Sequence, residues 1–530
     1  MKKSKLFKRI LAYTLVLSVI FSQFVFSFNV SAVDEISVWD GTKAESFAGG
    51  NGSVASPYLI ETAEQLYKMV AEYSTYDASK DKYFKITKDI YLNDVADGTS
   101  IVDLWGKKNW LEGYGDTIPT ASKTNSFHGT LDGDGNTIYG LYVNEIKNSG
   151  LFPAISSYTV IKNLHFDNVL LTYGGGYGGA IAGQAIYYTW QNSAQITNCS
   201  VVNATVGQWQ NMEYAGGLIG NINDCSVIFT DCYSYNLSLS NWESKGLPGG
   251  IVGGAYAESG TLKMNNCYSA GNFITNSSIS KAVCTNVYTD VAIPEGNTTA
   301  NVTVLTTEQM KGEAAKTNMA GFDFTWIWQT VENDYPVTRE NPVYVWDGKT
   351  VTGLDKFAGD GSPANPYQIE NASQLAYVVS TDLTDGLHFK LVKDIRINDT
   401  TKENWKESAQ NWVWKGIRFT GTFDGDGHTI DGLCYKGSSD KFGLFSYVGA
   451  NDAGTIPTVI KNIKMTNAYI ACNSKNGVAI LAGQTSAKTT FEGIYIDETC
   501  SLSATSALQK SGITEGDTVS VYDVEFDYVP

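Results

Sequence analysis

The sequence predicts an all-β chain made of two tandem β-solenoid units, each opened by a short capping helix. Three observations carry that expectation. A strand–corner–strand stretch occurs twice, as FHGTLDGDGNTIYGL from Phe127 to Leu141 and as FTGTFDGDGHTIDGL from Phe419 to Leu433. The stretches around it repeat as well: VWDG at Val38 returns at Val345, and YFKITKDIYLND at Tyr83 returns as HFKLVKDIRIND at His388. Finally, small motifs recur at a near-constant period. Gly178-Gly179, Gly216-Gly217 and Gly249-Gly250 each open an apolar segment, and Asn198-Cys199, Asp231-Cys232 and Asn266-Cys267 follow one another at spacings of 33 and 35 residues. Fixed periods of this size mark stacked coils. Composition agrees: 52 Gly and 31 Tyr in a chain of 530, with 18% charged residues, suit many short strands and frequent turns.

In chain order, the first 32 residues read as an export signal. MKKSKLFKR supplies a basic start, an apolar run follows from Ile10 to about Phe26, and Val30-Ser31-Ala32 is a small-residue cleavage site. The mature chain is expected to begin at Val33, in a secreted or surface-associated protein, with no later run able to span a bilayer. No LPxTG-type sorting signal stands at the C-terminus, which ends in FDYVP. The formal net charge of −17 becomes −22 without Lys2, Lys3, Lys5, Lys8 and Arg9. Such a surface repels nucleic acid and anionic membrane.

The first unit is placed at 33–340 and the second, shorter one at 341–530. Each opens into one helix. Thr62 with Gln65, and Asn371 with Gln374, have the capping-box spacing. Leu66, Met69, Val70 and Tyr73 share a helical face, as do Leu375, Val378 and Val379. These helices would cover the open ends of the coil stacks, whose unpaired edges otherwise invite aggregation. The alternating strand Tyr83–Asp94 (or His388–Asp399) follows, then a loop holding Trp105 and Trp110 (or Trp405, Trp412 and Trp414), with Trp414 read as structural. At the corner, Gly133 and Gly135 are expected to supply φ > 0. Leu305–Val337 closes the first unit, reading as a helix from about Thr307 to Lys316 and then short strands around Trp326 and Trp328.

GGLIGNINDCSVIFTDCYSYNLSLS and GGIVGGAYAESGTLKMNNCYSAGNF resemble GLUG-motif repeats. FDGDGHTIDGL and VIKNIKMTNA resemble the coils that precede such repeats, and the layout resembles exported bacterial surface proteins that carry them. The resemblance spans nearly all of the mature chain. It implies a right-handed parallel β-helix and a surface or adhesion role, and little about activity. Some GLUG repeats also accompany the protease that cleaves immunoglobulin A.

Chemistry-bearing motifs are sparse. Asp132-Gly133-Asp134 and Asp424-Gly425-Asp426 suggest calcium, but Thr137 and Val143 stand where an EF-hand needs Gly and Glu. A structural corner is the first reading, with calcium at Asp132, Asp134, Asp424 and Asp426 the second. A carboxylate pair for glycoside hydrolysis is the third, since strand residues two apart lie about 6.5 Å apart. His128, His165, His388 and His428 have no histidine counterpart in the other copy, and HExxH, GxSxG, P-loop and dinucleotide motifs are absent. No cofactor or metal is therefore expected. Cys199, Cys232 and Cys267 read as stacked inward thiols, or as partners in disulfides, with Cys225 and Cys232 the closest pair. Trp209 and Trp242 each stand ten residues past a period cysteine. They are the candidate ligand anchors, against a packing role under loops.

The functional expectation is a non-catalytic surface β-solenoid for adhesion or for binding a glycan or a host or community surface ligand. The alternatives are a polysaccharide lyase or glycoside hydrolase on the same scaffold, and a passive spacer of a surface assembly.

Overall fold

The computed structural model describes residues 37–95, 104, 106–111, 122–144, 146–172, 176–188, 192–207, 212–241, 248–256, 261–275, 282–293, 300–340, 342–383, 386–450, 457–473, 477–486, 488–504, 518–521 and 524–527. The signal segment, Trp209 and Trp242 lie outside the described residues. Strands take 44% and helices 10%, and parallel coils stack into a β-solenoid of about 10 turns.

The main sheet runs through strands Tyr58–Ile60, Tyr83–Ile86, Thr130–Asp132, Val160–Thr172, Ala194–Val206, Val227–Thr230, Leu262–Ser269, Ala282–Thr289 and Ala300–Val304, each paired in parallel with the next. A second face stacks Phe152–Ser156, Ala182–Ile186, Ile219–Asn223 and Val252–Tyr256. Among the described residues, the later sheets, built from Tyr367 to Ala504, share no strand pairing with these.

Alternation decides which side chains fill the coils. Phe84, Leu131, Ile161, Ile196, Phe229, Met264 and Cys284 occupy one register position on successive rungs, and all are buried. Each such burial contributes about 1.5–3 kcal/mol. Phe389, Phe423 and Ile460 do the same in the later coils, and Phe491 on the final rung of that sheet is 39% exposed. Cys199, Cys232 and Cys267 are fully buried in the core, and all eight cysteines are free thiols.

The two helices, Ala63–Tyr73 and Ala372–Ser380, form where the capping residues stand. Thr62 Oγ1 accepts from Gln65 N at 3.4 Å and Asn371 Oδ1 from Gln374 N at 3.0 Å. The returning bonds come one residue earlier than a capping box requires: Gln65 Oε1 accepts from Glu61 N and Gln374 Oε1 from Glu370 N. Leu66, Met69 and Val70 seal the first rung, and Leu375, Val378 and Val379 its counterpart. The loop tryptophans also repeat: Trp110 meets Trp39, and Trp412 meets Trp346, each at 5.0 Å between ring centres. Trp414 departs from its structural reading, being 38% exposed.

At the corner the expectation needs correcting. The left-handed residues are Asp134 (φ 53°) with Gly135 (φ 84°), and Asp426 (φ 50°) with Gly427 (φ 80°). Gly133 is required by proximity instead: a Cβ there would lie 2.2 Å from the Asn163 carbonyl oxygen.

The segment 305–340 also differs from its reading. Gly312, at φ 54°, divides the expected helix into a 3₁₀ turn at Glu308–Met310 and a short helix at Ala314–Asn318. The antiparallel hairpin Trp328–Val331 with Asp334–Thr338 follows. Trp328, Phe322 and Ile327 pack on Tyr233, Tyr268 and Tyr288, the outward side chains of three successive rungs. Tyr268 Oη donates to the Pro336 carbonyl at 2.8 Å and Tyr288 Oη to that of Ala320 at 2.6 Å. The segment is therefore a strap along the flank of the coils.

Candidate functional site

Five successive rungs of the main sheet turn with a residue in the left-handed region, where Asn and Asp are tolerated best. Asn163, Asn198, Asp231, Asn266 and Asn286 all have φ between 51° and 53°. Their side chains form a ladder. Asn163 Nδ2 donates to Asp132 Oδ1 and Asn198 Nδ2 to Asn163 Oδ1, both at 2.9 Å, and Asn286 Nδ2 donates to Asn266 Oδ1 at 2.9 Å. The signal for it lay in the residue preceding each period cysteine.

This ladder explains the calcium candidates. Asp132 Oδ1 accepts from Asp134 N and Asn163 Nδ2, while Oδ2 pairs with Lys162 Nζ at 2.7 Å. Burial raises the Asp132 carboxyl, but the Lys162 charge and these hydrogen bonds outweigh it and hold the group below its usual range. Asp134 pairs with Lys85 at 3.1 Å. In the second copy, Asp424 meets Asn462 and Lys461, and Asp426 meets Lys390. All four carboxylates are thus engaged by lysines. Calcium is expected to leave the melting temperature unchanged. Asp132→Ala should cost about 1–3 kcal/mol with or without calcium, because Asn163 and Lys162 lose their partner. A calcium-dependent rise in melting temperature that vanishes in the variant would restore the metal reading.

The histidines lie apart. His128 is buried with Nδ1 2.7 Å from the Ser126 carbonyl, and burial brings its pKa down to about 4. His428 Nδ1 lies 3.2 Å from Asp394. His165 borders a cavity.

That cavity, of about 600 Å³, is a groove between the outward face of the main sheet and the strap. Two register columns make its floor. One runs Thr137, His165, Ser200, Tyr233, and the other Tyr139, Asp167, Val202, Tyr235. Gln329, Val337, Thr338, Arg339 and Glu340 form the wall and rim. His165 Nδ1 lies 2.8 Å from Ser200 Oγ, and burial keeps the ring neutral, with its pKa lowered to about 4. Asp167 Oδ1 accepts from Asn203 Nδ2 at 2.8 Å, and burial raises its carboxyl despite that bond. Burial, reinforced by Asp334 and Asp167, raises Tyr235 to about 12. Arg339 Nη2 donates to the Phe324 carbonyl at 3.0 Å, and its Nε has no partner. Thus the groove joins phenol rings, a neutral imidazole, two carboxylates and one guanidinium on a rigid floor.

Fold and groove together define a parallel β-solenoid scaffold with a polar, tyrosine-lined cleft on its flank. No family model matches the chain. Over 143 residues it is 29% identical to "Halomucin" of Haloquadratum walsbyi, a match covering 26% of this chain and 2% of that protein. Over 116 residues it is 32% identical to the "Putative Gly-rich membrane protein" of Evansella cellulosilytica, covering 21% of this chain and 12% of that one. The chain therefore spans a small part of the length of the curated relatives it matches. A solved structure, "Crystal structure of a putative immunoglobulin A1 protease from Bacteroides ovatus", aligns at a TM-score of 0.36 and 19% identity, covering 56% of this chain and 95% of that one. No helix among the described residues is long and apolar enough to cross a membrane.

Proposed function

We propose that this chain is an exported, cell-surface β-solenoid of the GLUG-repeat kind that binds a glycan or another surface ligand along its flank without chemically altering it. The groove is the observation that carries this reading, because a stacked scaffold presents a long, rigid side face for recognition. The basic–apolar start with its Ala32 site supports export. Similarity over short stretches to a halomucin and to a protein described as membrane-located supports a surface position.

Two measurements test it. N-terminal sequencing of the protein recovered from the producing cell should begin at Val33, and protease treatment of intact cells should degrade it. A protein retaining its first 32 residues and protected inside the cell would defeat the surface reading. Wild-type mature chain should retain a surface ligand that a His165→Ala, Tyr235→Ala variant releases. Equal retention by both would remove the groove from the function.

One observation favours the catalytic alternative. A carboxyl raised by burial, as at Asp167, is a property of general acids and bases. Under the binding reading, incubation with polysaccharides should yield no new reducing ends and no unsaturated product. Turnover abolished by Asp167→Asn would establish a lyase or hydrolase in its place.

A further inference from the structure

We propose that the groove takes an uncharged, hydroxyl-rich glycan, with carboxylate acceptors gripping its hydroxyls above a tyrosine floor. This rests on the reading of the groove as a ligand site and names the ligand class.

Charge makes the first selection. Among the described residues no cation pairs with Asp167, whose carboxyl is held by Asn203 Nδ2 and the Asn168 backbone. An ionised carboxylate only accepts hydrogen bonds, so its second oxygen suits a ligand hydroxyl. Glu340 stands exposed at the rim. An anionic sugar would meet both carboxylates with little compensation, since Arg339 is the one Arg or Lys on the lining and already donates to the strap's own backbone. That same guanidinium offsets one of the two carboxylates, so the lining gives a cationic ligand little net pull.

Shape makes the second. Tyr139 stacks on Tyr91 with ring centres 4.7 Å apart and planes within 10°, and Tyr235 lies 6.2 Å from Tyr233 with planes within 9°. Stacked rings on fixed rungs are stiff platforms that cost little entropy to use. Rungs repeat about every 4.8 Å along the solenoid axis, near the length of one sugar ring. A glycan lying along the axis would meet a new row of floor side chains at almost each residue. The neutral imidazole of His165 adds a hydrogen-bonding group without charge.

The test uses mature chain, residues 33–530, on an array of neutral, uronic and sulfated glycans, with a library of extended peptides alongside. Asp167→Asn and Tyr235→Ala are compared with wild type, and their melting temperatures are checked first. Asp167→Asn is close to isosteric and guards against loss of fold in the tyrosine variant. Binding confined to neutral glycans, and weakened roughly tenfold to a hundredfold by Asp167→Asn, is the expected result. Acidic glycans or peptides whose binding the substitutions abolish would overturn the ligand class and leave the groove as a site. Binding unaffected by either substitution, or absent throughout, would overturn both.

Discussion

Asp231→Asn is expected to stabilise the folded chain by about 3 kcal/mol at pH 8 and to flatten its stability between pH 4 and pH 6. Asp231 is the carboxyl member in the interior of the ladder, which Asp132 ends, and is 1% exposed. Trp328 Nε1 donates to its Oδ1 at 3.1 Å. On one side Asn266 donates to it, and on the other Asn198 Oδ1 is buried with no donor. Every other link of the ladder passes an N–H to its neighbour, and an ionised Asp231 has none to pass. Burial is the main cause that raises its pKa from 3.8 to about 6, Trp328 and Asn266 pull it down, and Asp323 adds to the rise. The sign follows. The folded chain holds the proton more tightly than the unfolded one, so the associated stability is complete below about pH 4. It is lost as pH climbs through about 6, and remains absent above. Roughly two pH units correspond to about 3 kcal/mol. Asn tolerates the left-handed backbone at φ 53° equally well. It also supplies the missing N–H to Asn198 while still accepting from Trp328. Urea unfolding at pH 4.5 and pH 8 measures the effect. A wild-type profile flat across that range, or a variant no more stable at pH 8, would show that the ladder tolerates the charge.

Arg396→Met should cost about 3–5 kcal/mol, the usual loss when one partner of a buried ion pair is removed. Arg396 is 1% exposed and stands on the short strand Ile395–Arg396 of the later coils. Its guanidinium bonds Asp323 of the strap through Nη1 and Asp399 through Nη2, and lies 5.6 Å over the Trp326 ring. The side chain therefore ties the later coils to the strap. Methionine keeps the volume and strands Asp323 without its cation, while Asp399 keeps Lys402 at 3.1 Å. Adding Asp323→Asn to the variant should recover part of the loss, since one stranded charge is gone. Limited proteolysis of Arg396→Met is expected to cut first within 305–345, where the tie is lost. Unchanged melting together with an unchanged proteolysis pattern would show that the coils and strap cohere without it.

The stacked parallel coils, the position of both helices and the inward cysteines were legible in the sequence. They depend on local pattern: alternation, capping residues three apart, and a constant period read directly from the chain. The DGDG corner was legible as a turn, but the reason for Gly133 was not. That reason is the approach of the Asn163 backbone from the next coil, some 30 residues away. The period also pointed at the wrong residue: the cysteines drew attention while the Asn or Asp before each carried the ladder. Trp209 and Trp242, chosen for their spacing, lie outside the described residues.

What the sequence by itself determined is the coil: which residues turn, which point inward, and which rung follows which. Alternating outward pairs such as His165 with Asp167 and Tyr233 with Tyr235 were there to be read, but one strand does not reveal what faces it. Only the tertiary structure decided that 305–340 runs along the flank instead of ending the stack, because Gly312 breaks its helix and Trp328 finds its acceptor in Asp231, 97 residues back. That return brings Arg339 and Glu340 over Tyr139 and Asp167 and creates the groove. Periodicity is a short-range property set by backbone geometry. The groove comes from one long-range packing choice, made by burying the strap's aromatic side chains on tyrosines that single coils leave outside.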